Sequence, residues 1–242
     1  MKLPKHCLPN EVLYITNDKN ILKPKDNHHL WDLGVRIISN TYDNENGIIK
    51  FDEIAVSIGE NAFDSCQNLT NITIGSGIKR IESYAFMSCW NLETVNLPDT
   101  INIIGSYSFF DCSKLQNIII PQGVKVIGSR AFEGCRNLTS ITIPDSVTDI
   151  DDGAFSSTSL ASVFLSNNIQ TLSEGVFYDC PNLINIIIPK SVEFIERFAF
   201  GNCINLQNVY LLNSNTLISE EAFECCKKVN IHRVNINTTQ IY

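Results

Sequence analysis

Apolar positions along this chain return with a long, regular period. Taking Phe63 as an anchor, phenylalanine recurs at Phe86, Phe109, Phe132, Phe155, Phe177, Phe200 and Phe223, at intervals of 23 residues except for one of 22. Other positions keep step. Alanine precedes the anchor in most units, with Ser108 and Val176 as exceptions. Three residues after it comes Cys66, Cys89, Cys112, Cys135, Cys180, Cys203 or Cys226, and six after it a leucine such as Leu138. Nine and eleven after it comes a pair of aliphatics, Ile141 and Ile143 for example. The short interval has a local cause: Phe155 is followed by Thr158 and Leu160, so one residue is missing between the cysteine and leucine positions. A unit of this size cannot bury its own apolar face, whereas stacked units bury a continuous core.

The pattern inside one unit predicts its elements. Leu-x-x-Ile-x-Ile alternates and reads as a short strand with one face inward. Pro98, Pro121, Pro144 and Pro189 follow that strand and end it, because proline has no N–H for a ladder. A second extended segment follows, as in Ile78-x-x-Ile81 or Val124-x-x-Ile127. The Ala-Phe segment predicts a helical turn. Neighbouring coils are then expected about 4.8 Å apart, the spacing of hydrogen-bonded strands. Asn68, Asn91, Asn137, Asn182 and Asn205 form a column before the strand leucine, where an amide bonds nearby backbone. The glycosylation triplets at Asn68, Asn71 and Asn137 are read as coincidence.

The ends differ from the repeat. Residues 1–53 read as an N-terminal β cap, 54–228 as eight Phe-anchored coils, and 229–242 as a closing strand and tail. In the cap, Val12–Ile15 and Ile21–Leu22 flank Asn17-Asp18-Lys19-Asn20 as a hairpin. Trp31, Leu33, Val35 and Ile37 alternate as a strand, and Asp43–Gly47 turns the chain into Ile48–Phe51.

Composition narrows the function. Hydrophobic residues make up 44%, enough for a sizeable core. The net charge of −8 argues against a nucleic-acid partner and against docking on anionic lipid. No stretch reaches the roughly 20 apolar residues of a membrane helix. Met1–Tyr14 holds no apolar run of signal-peptide length, since Pro4 and Pro9 interrupt it. The cysteines have no C-x-x-C pairs, so zinc is not expected. Seven in one column cannot all pair, and buried reduced thiols are the favoured reading, which suits a reducing compartment. Cys7 beside His6, with His28 and His29, reads as a solvated cap, and Asp149, Asp151 and Asp152 as a solvated turn. No catalytic set, cofactor motif or metal site is expected.

The stretch Leu138-Thr-Ser-Ile-Thr-Ile-Pro-Asp-Ser-Val-Thr-Asp-Ile-Asp-Asp-Gly-Ala-Phe155 resembles the BspA-like leucine-rich repeats, and the likeness runs from about Ile54 to Cys226. The segment Ile38–Phe51 resembles the N-terminal lead-in of such proteins from Bacteroides-type gut bacteria. The resemblance implies a leucine-rich-repeat solenoid with a parallel sheet on one side. It implies a surface or secreted protein with a role in adhesion to host or cell-surface proteins, and no shared catalytic residues.

Strand alternation also locates a candidate face. The outward column between the two aliphatics is Thr73, Asn96, Ile119, Thr142, Phe164, Ile187 and Tyr210. A second outward column, including Asn185 and Asn208, is small and polar. Phe164, Ile187 and Tyr210 form an apolar stripe, with Ile119 further along and Asn185 and Asn208 as polar companions. Such a run marks a binding surface; aromatic and β-branched residues also simply favour strands. The leading function is a non-catalytic protein-interaction or adhesion module, and the alternative is a glycan-binding surface. An open solenoid of this kind can also form a homodimer through its exposed edge or stripe.

Overall fold

A computed structural model of the protein describes residues 7–24, 35–43 and 45–234. Its repeats form a parallel β-solenoid. On the front side the strands are β5 (Leu69–Ile74), β7 (Thr94–Asn96), β9 (Asn117–Ile118), β11 (Ser140–Thr142), β13 (Ser162–Phe164), β15 (Asn185–Ile188), β17 (Asn208–Leu211) and β19 (Asn230–Arg233). A second side carries shorter strands: β4 (Ser57–Ile58), β6 (Arg80–Ile81), β8 (Ile103–Ile104), β10 (Val126–Ile127), β12 (Asp149–Ile150), β14 (Thr171–Leu172), β16 (Phe194–Ile195) and β18 (Leu217–Ile218). Partners are equivalent residues of successive coils, such as Ile187 with Tyr210 and Val126 with Ile103. Among the described residues no helix is long and apolar enough to cross a membrane.

The core is a set of columns. The anchor phenylalanines from Phe63 to Phe200 are fully buried, and the eight rings stack with centroids 5.1–5.8 Å apart and planes within 16°. The widest step, 5.8 Å, is Phe155 to Phe177, across the missing residue. The inward aliphatics of both sides, such as Ile141, Ile143, Val147 and Ile150, fill the rest.

The Ala-Phe segment is a chain of tight turns rather than a helical turn. Residues two before and two after the anchor have positive φ in successive coils, for example Tyr107 and Asp111, or Gly175 and Asp179. A helix needs consecutive right-handed residues, so left-handed ones on either side of the phenylalanine stop it. The N–H groups then alternate in direction. Ser108, Phe110 and Cys112 bond carbonyls three residues back, while Tyr107, Phe109 and Asp111 bond Ser129, Ala131 and Glu133 of the next coil at 2.7–2.8 Å. This turn side is a third inter-coil ladder.

The two polar columns are also inter-coil devices. Asn91, Asn182 and Asn205 donate from Nδ2 to the backbone carbonyls of Gln67, Ser159 and Pro181 in the preceding coil, at 2.7–3.3 Å. All nine cysteines are free. Cys89, Cys112, Cys135, Cys180, Cys203 and Cys226 each direct the thiol at the anchor carbonyl of the coil before, with S···O distances of 3.0–3.3 Å. Burial pushes the Cys89, Cys112 and Cys135 thiols well up, so they stay protonated donors.

The N-terminal end is closed by β1 (Glu11–Thr16), β2 (Ile37–Tyr42) and β3 (Gly47–Phe51), joined to β5 in the order β2-β3-β1-β5. β2 and β3 pair antiparallel on either side of the turn expected at Asp43–Gly47. The expected hairpin from Val12–Ile15 into Ile21–Leu22 does not form. β1 is paired on both edges, antiparallel to β3 and to β5, so no edge remains for residues 21–22. Leu22 is instead buried, its N–H donating to Tyr14 Oη at 3.2 Å and its carbonyl accepting from Asn40 at 2.7 Å. Trp31 and Leu33, like His6, His28 and His29, lie outside the described residues, and the strand after them starts at Ile37.

Candidate interaction face

The pleat sends alternate residues of the front strands outward. Ile119, Phe164 and Ile187 are 84%, 63% and 58% exposed, large values for side chains of this size. Phe164, Ile187 and Tyr210 follow one another across β13, β15 and β17. Ile119 stands apart from them: Thr142, exposed and paired with Phe164, lies between, and the ladder is interrupted between β9 and β11.

The stripe does not stop at Tyr210. β19 pairs with β17 so that His232 faces Tyr210, and the two rings stack at 4.7 Å with 14° between planes. His232 was not singled out in the sequence because its coil is one residue shorter between anchor and strand. Counting back from Val229 and Ile231 as a strand, rather than forward from Phe223, would have found it.

Amides run beside the stripe. Asn208 donates from Nδ2 to Asn185 Oδ1 at 2.7 Å, and its own Oδ1 lies 3.0 Å from His232 Nε2. Because that oxygen only accepts, His232 donates from Nε2. Asn185, Asn208 and Asn230 thus form a polar row next to the apolar one, and His232 at the end of the apolar row is tied to it.

The shortened coil shapes the floor. β13 belongs to it and pairs with β11 but not with β15, and on the second side the ladder breaks between β12 and β14. The inward residues of β13 and just after it, Val163 and Leu165, are only partly buried, unlike Ile186 and Ile188 of the next coil. A groove of about 430 Å³ opens here, with Phe164, Asn185, Ile187 and Tyr210 on its rim and Val163 and Leu165 below. The Thr158 that replaces a column cysteine bonds Phe155 O of its own coil at 2.9 Å and meets Cys180 Sγ at 3.2 Å.

Repeating parallel coils, an inward leucine-isoleucine pattern and one broad strand face define a leucine-rich-repeat protein. The profile of the BspA type leucine rich repeat region matches residues 36–158 and 125–242, with six copies. The chain belongs to that family. Among solved structures it is similar to a leucine-rich repeat protein from Bacteroides ovatus, with 28% identity and a TM-score of 0.59 over 80% of this chain and 62% of that one. It is also similar to the T. pallidum leucine rich repeat protein, with 30% identity and a TM-score of 0.60 over 65% of this chain and 74% of that one. The chain therefore spans about 62% of the length of the B. ovatus protein. No curated protein matches it.

Proposed function

We propose that this protein is a non-catalytic interaction module that binds a protein partner on the front face between β13 and β19. The observation that carries the reading is the row of Phe164, Ile187, Tyr210 and His232, exposed except for the half-buried Tyr210, above a groove, with amides alongside. Exposed apolar anchors beside a concavity, with a polar margin, concentrate binding energy in other interfaces. Repeat solenoids in general present extended faces to macromolecules. Adhesion, to a host or cell-surface protein, is the finer form of this reading, and it rests on the family.

A glycan is the second reading. The combination of the Phe164 and Tyr210 rings with the Asn185 and Asn208 amides favours it, since sugars stack on rings and bond amides.

The test is a crosslinking pull-down from the source cells and their surroundings, read by mass spectrometry. Wild type is compared with a folded triple variant, Phe164→Ser, Ile187→Ser and Tyr210→Ser. A protein recovered by wild type and lost with the variant supports the proposal. Equal recovery moves the site off this face. Glycan-array binding that the variant loses replaces the first reading with the second.

A further inference from the structure

The turn side carries a second constellation, separate from the strand face. Left-handed residues two before the anchors from Phe63 to Phe200 line up as Asn61, Tyr84, Tyr107, Arg130, Gly153, Gly175 and Phe198. Tyr84 and Tyr107 stack at 5.0 Å. The Arg130 guanidinium lies 5.8 Å from the Tyr107 ring centroid and 3.5 Å from the Glu133 carboxylate. Three coils on, the Arg197 guanidinium lies 5.0 Å from the Phe198 ring and reaches Glu174 at 2.9 Å and Glu221 at 3.6 Å. This face therefore builds the same trio twice: a guanidinium over an aromatic ring, with a carboxylate beside it.

Between the two trios the column drops to Gly153 and Gly175, at φ 63° and 62°. With no side chains there, a notch of about 410 Å³ remains. One wall is Arg130 and Glu133: a Cβ on Gly153 would sit 3.2 Å from Arg130 Cγ and 3.8 Å from Glu133 Oε2. The other wall is Tyr178 and Phe198. The Tyr178 ring lies on the Gly201 backbone, 2.8 Å from where a Cβ there would sit, and the residue is 42% exposed. Asp152, Ser156 and Glu174 complete the lining. Glu133 is paired with Arg130 and Glu174 with Arg197, so Asp152 is the lining carboxylate with no guanidinium against it among the described residues. Burial holds the Glu133 carboxyl above its ordinary range despite Arg130, and the charge of an added cation would offset that penalty.

We propose that this notch receives the cationic side chain of a protein partner, a lysine or an arginine, resting on Tyr178 between Asp152 and Glu133. The incoming charge would complete a third trio of the kind the chain already builds on either side. The two glycines supply the room, and the chain's net charge of −8 favours the approach of a basic segment. A neutral ligand would use the ring but leave Asp152 unanswered.

The test is an NMR titration of the whole ¹⁵N-labelled chain with a pentapeptide bearing one central arginine. The same peptide with citrulline, neutral and nearly isosteric, is the control. Saturable shifts centred on Gly153, Gly175 and Tyr178, seen with arginine and not citrulline, are expected. Tyr178→Phe should bind as wild type, because the ring face and not the hydroxyl is used. Tyr178→Ser and Asp152→Asn should each raise Kd at least fivefold, while Asp99→Asn, an equal charge change at an exposed turn elsewhere, should leave it unchanged. Matching shifts with citrulline would overturn the proposal. So would equal weakening by Asp99→Asn and Asp152→Asn, which would mean diffuse attraction, or full binding by Tyr178→Ser in a folded protein.

Discussion

Two halves of the front sheet use the same inward residues and face outward with different chemistry. From β5 to β11 the outward positions are Thr73, Asn96, Ile119 and Thr142; from β13 to β19 they are Phe164, Ile187, Tyr210 and His232. Inward, both halves stack phenylalanine on phenylalanine and isoleucine on valine or leucine. An inward residue is constrained by its equivalents above and below, so the columns cannot drift without a void or a clash. An outward residue meets its cross-strand neighbours and, along most of the column, solvent; Thr73, expected to face out, is instead buried at 2% exposure beside the cap. The solenoid thus separates what holds it together from what it can bind, residue by residue along one strand.

Breaking the inward set should have the largest effect. Phe132→Ala removes a fully buried ring from the middle of the stack and should cost about 3–5 kcal/mol. Ile119→Ser, on an exposed side chain, should stay within about 0.5 kcal/mol. Denaturant melts compare the two directly, and similar midpoints would remove the basis for the spine.

Next comes the shortened coil. Inserting an asparagine between Ser159 and Leu160 restores the 23-residue spacing and the asparagine that precedes the strand leucine in its neighbours. The β13–β15 ladder should then close, with slowed amide exchange at Asn185–Ile187, and binding on the front face should weaken at least tenfold. Unchanged exchange there would show that the missing residue does not open the groove.

Smaller again is the thiol column. Cys112→Ser keeps a donor to Phe86 O, whereas Cys112→Val removes it and adds bulk to a packed site. The valine variant should lose about 1–3 kcal/mol, and more than the serine variant. If serine is the worse of the two, the cysteines serve as apolar filling and not as donors.

Acid should produce the mildest separation, between cap and coils. In the cap, Asp18, Asp43 and Asp52 accept bonds from the N–H groups of Asn20, Asn46 and Arg36, which hold them below the ordinary carboxylate range. That stability is present above the unfolded pKa and is lost as pH falls through the folded one. In the coils, burial holds Asp151 and Glu133 above the ordinary range, so protonation relieves a penalty there. Hydrogen exchange followed from about pH 6 to about pH 3 should therefore show cap amides losing protection before coil amides. A loss that is uniform along the chain would count against these assignments.

Much of the fold was legible because the repeat is a one-dimensional signal. A constant interval between phenylalanines demands stacking, and alternation within Leu-x-x-Ile-x-Ile says which residues face in. The same alternation puts Phe164, Ile187 and Tyr210 on one outward line. His232 escaped because strand pairing, not distance from the anchor, puts it beside Tyr210. The cap hairpin was misread because residues 11–16 and 21–22 look equally extended in isolation. Only the presence of β3 and β5 on both edges of β1 decides against it.

What the sequence by itself determined is the period, the inward columns and the outward stripe, because each depends on spacing along the chain. The tertiary structure decided the left-handed turns around each phenylalanine, the thiol and amide bonds to the coil before, and both concavities. Each of these depends on what one coil presents to the next. A carbonyl 26 residues back, as between Cys112 and Phe86, comes within reach only once the coils are stacked. A pair of glycines becomes a notch only when Arg130 and Tyr178 stand on either side of it.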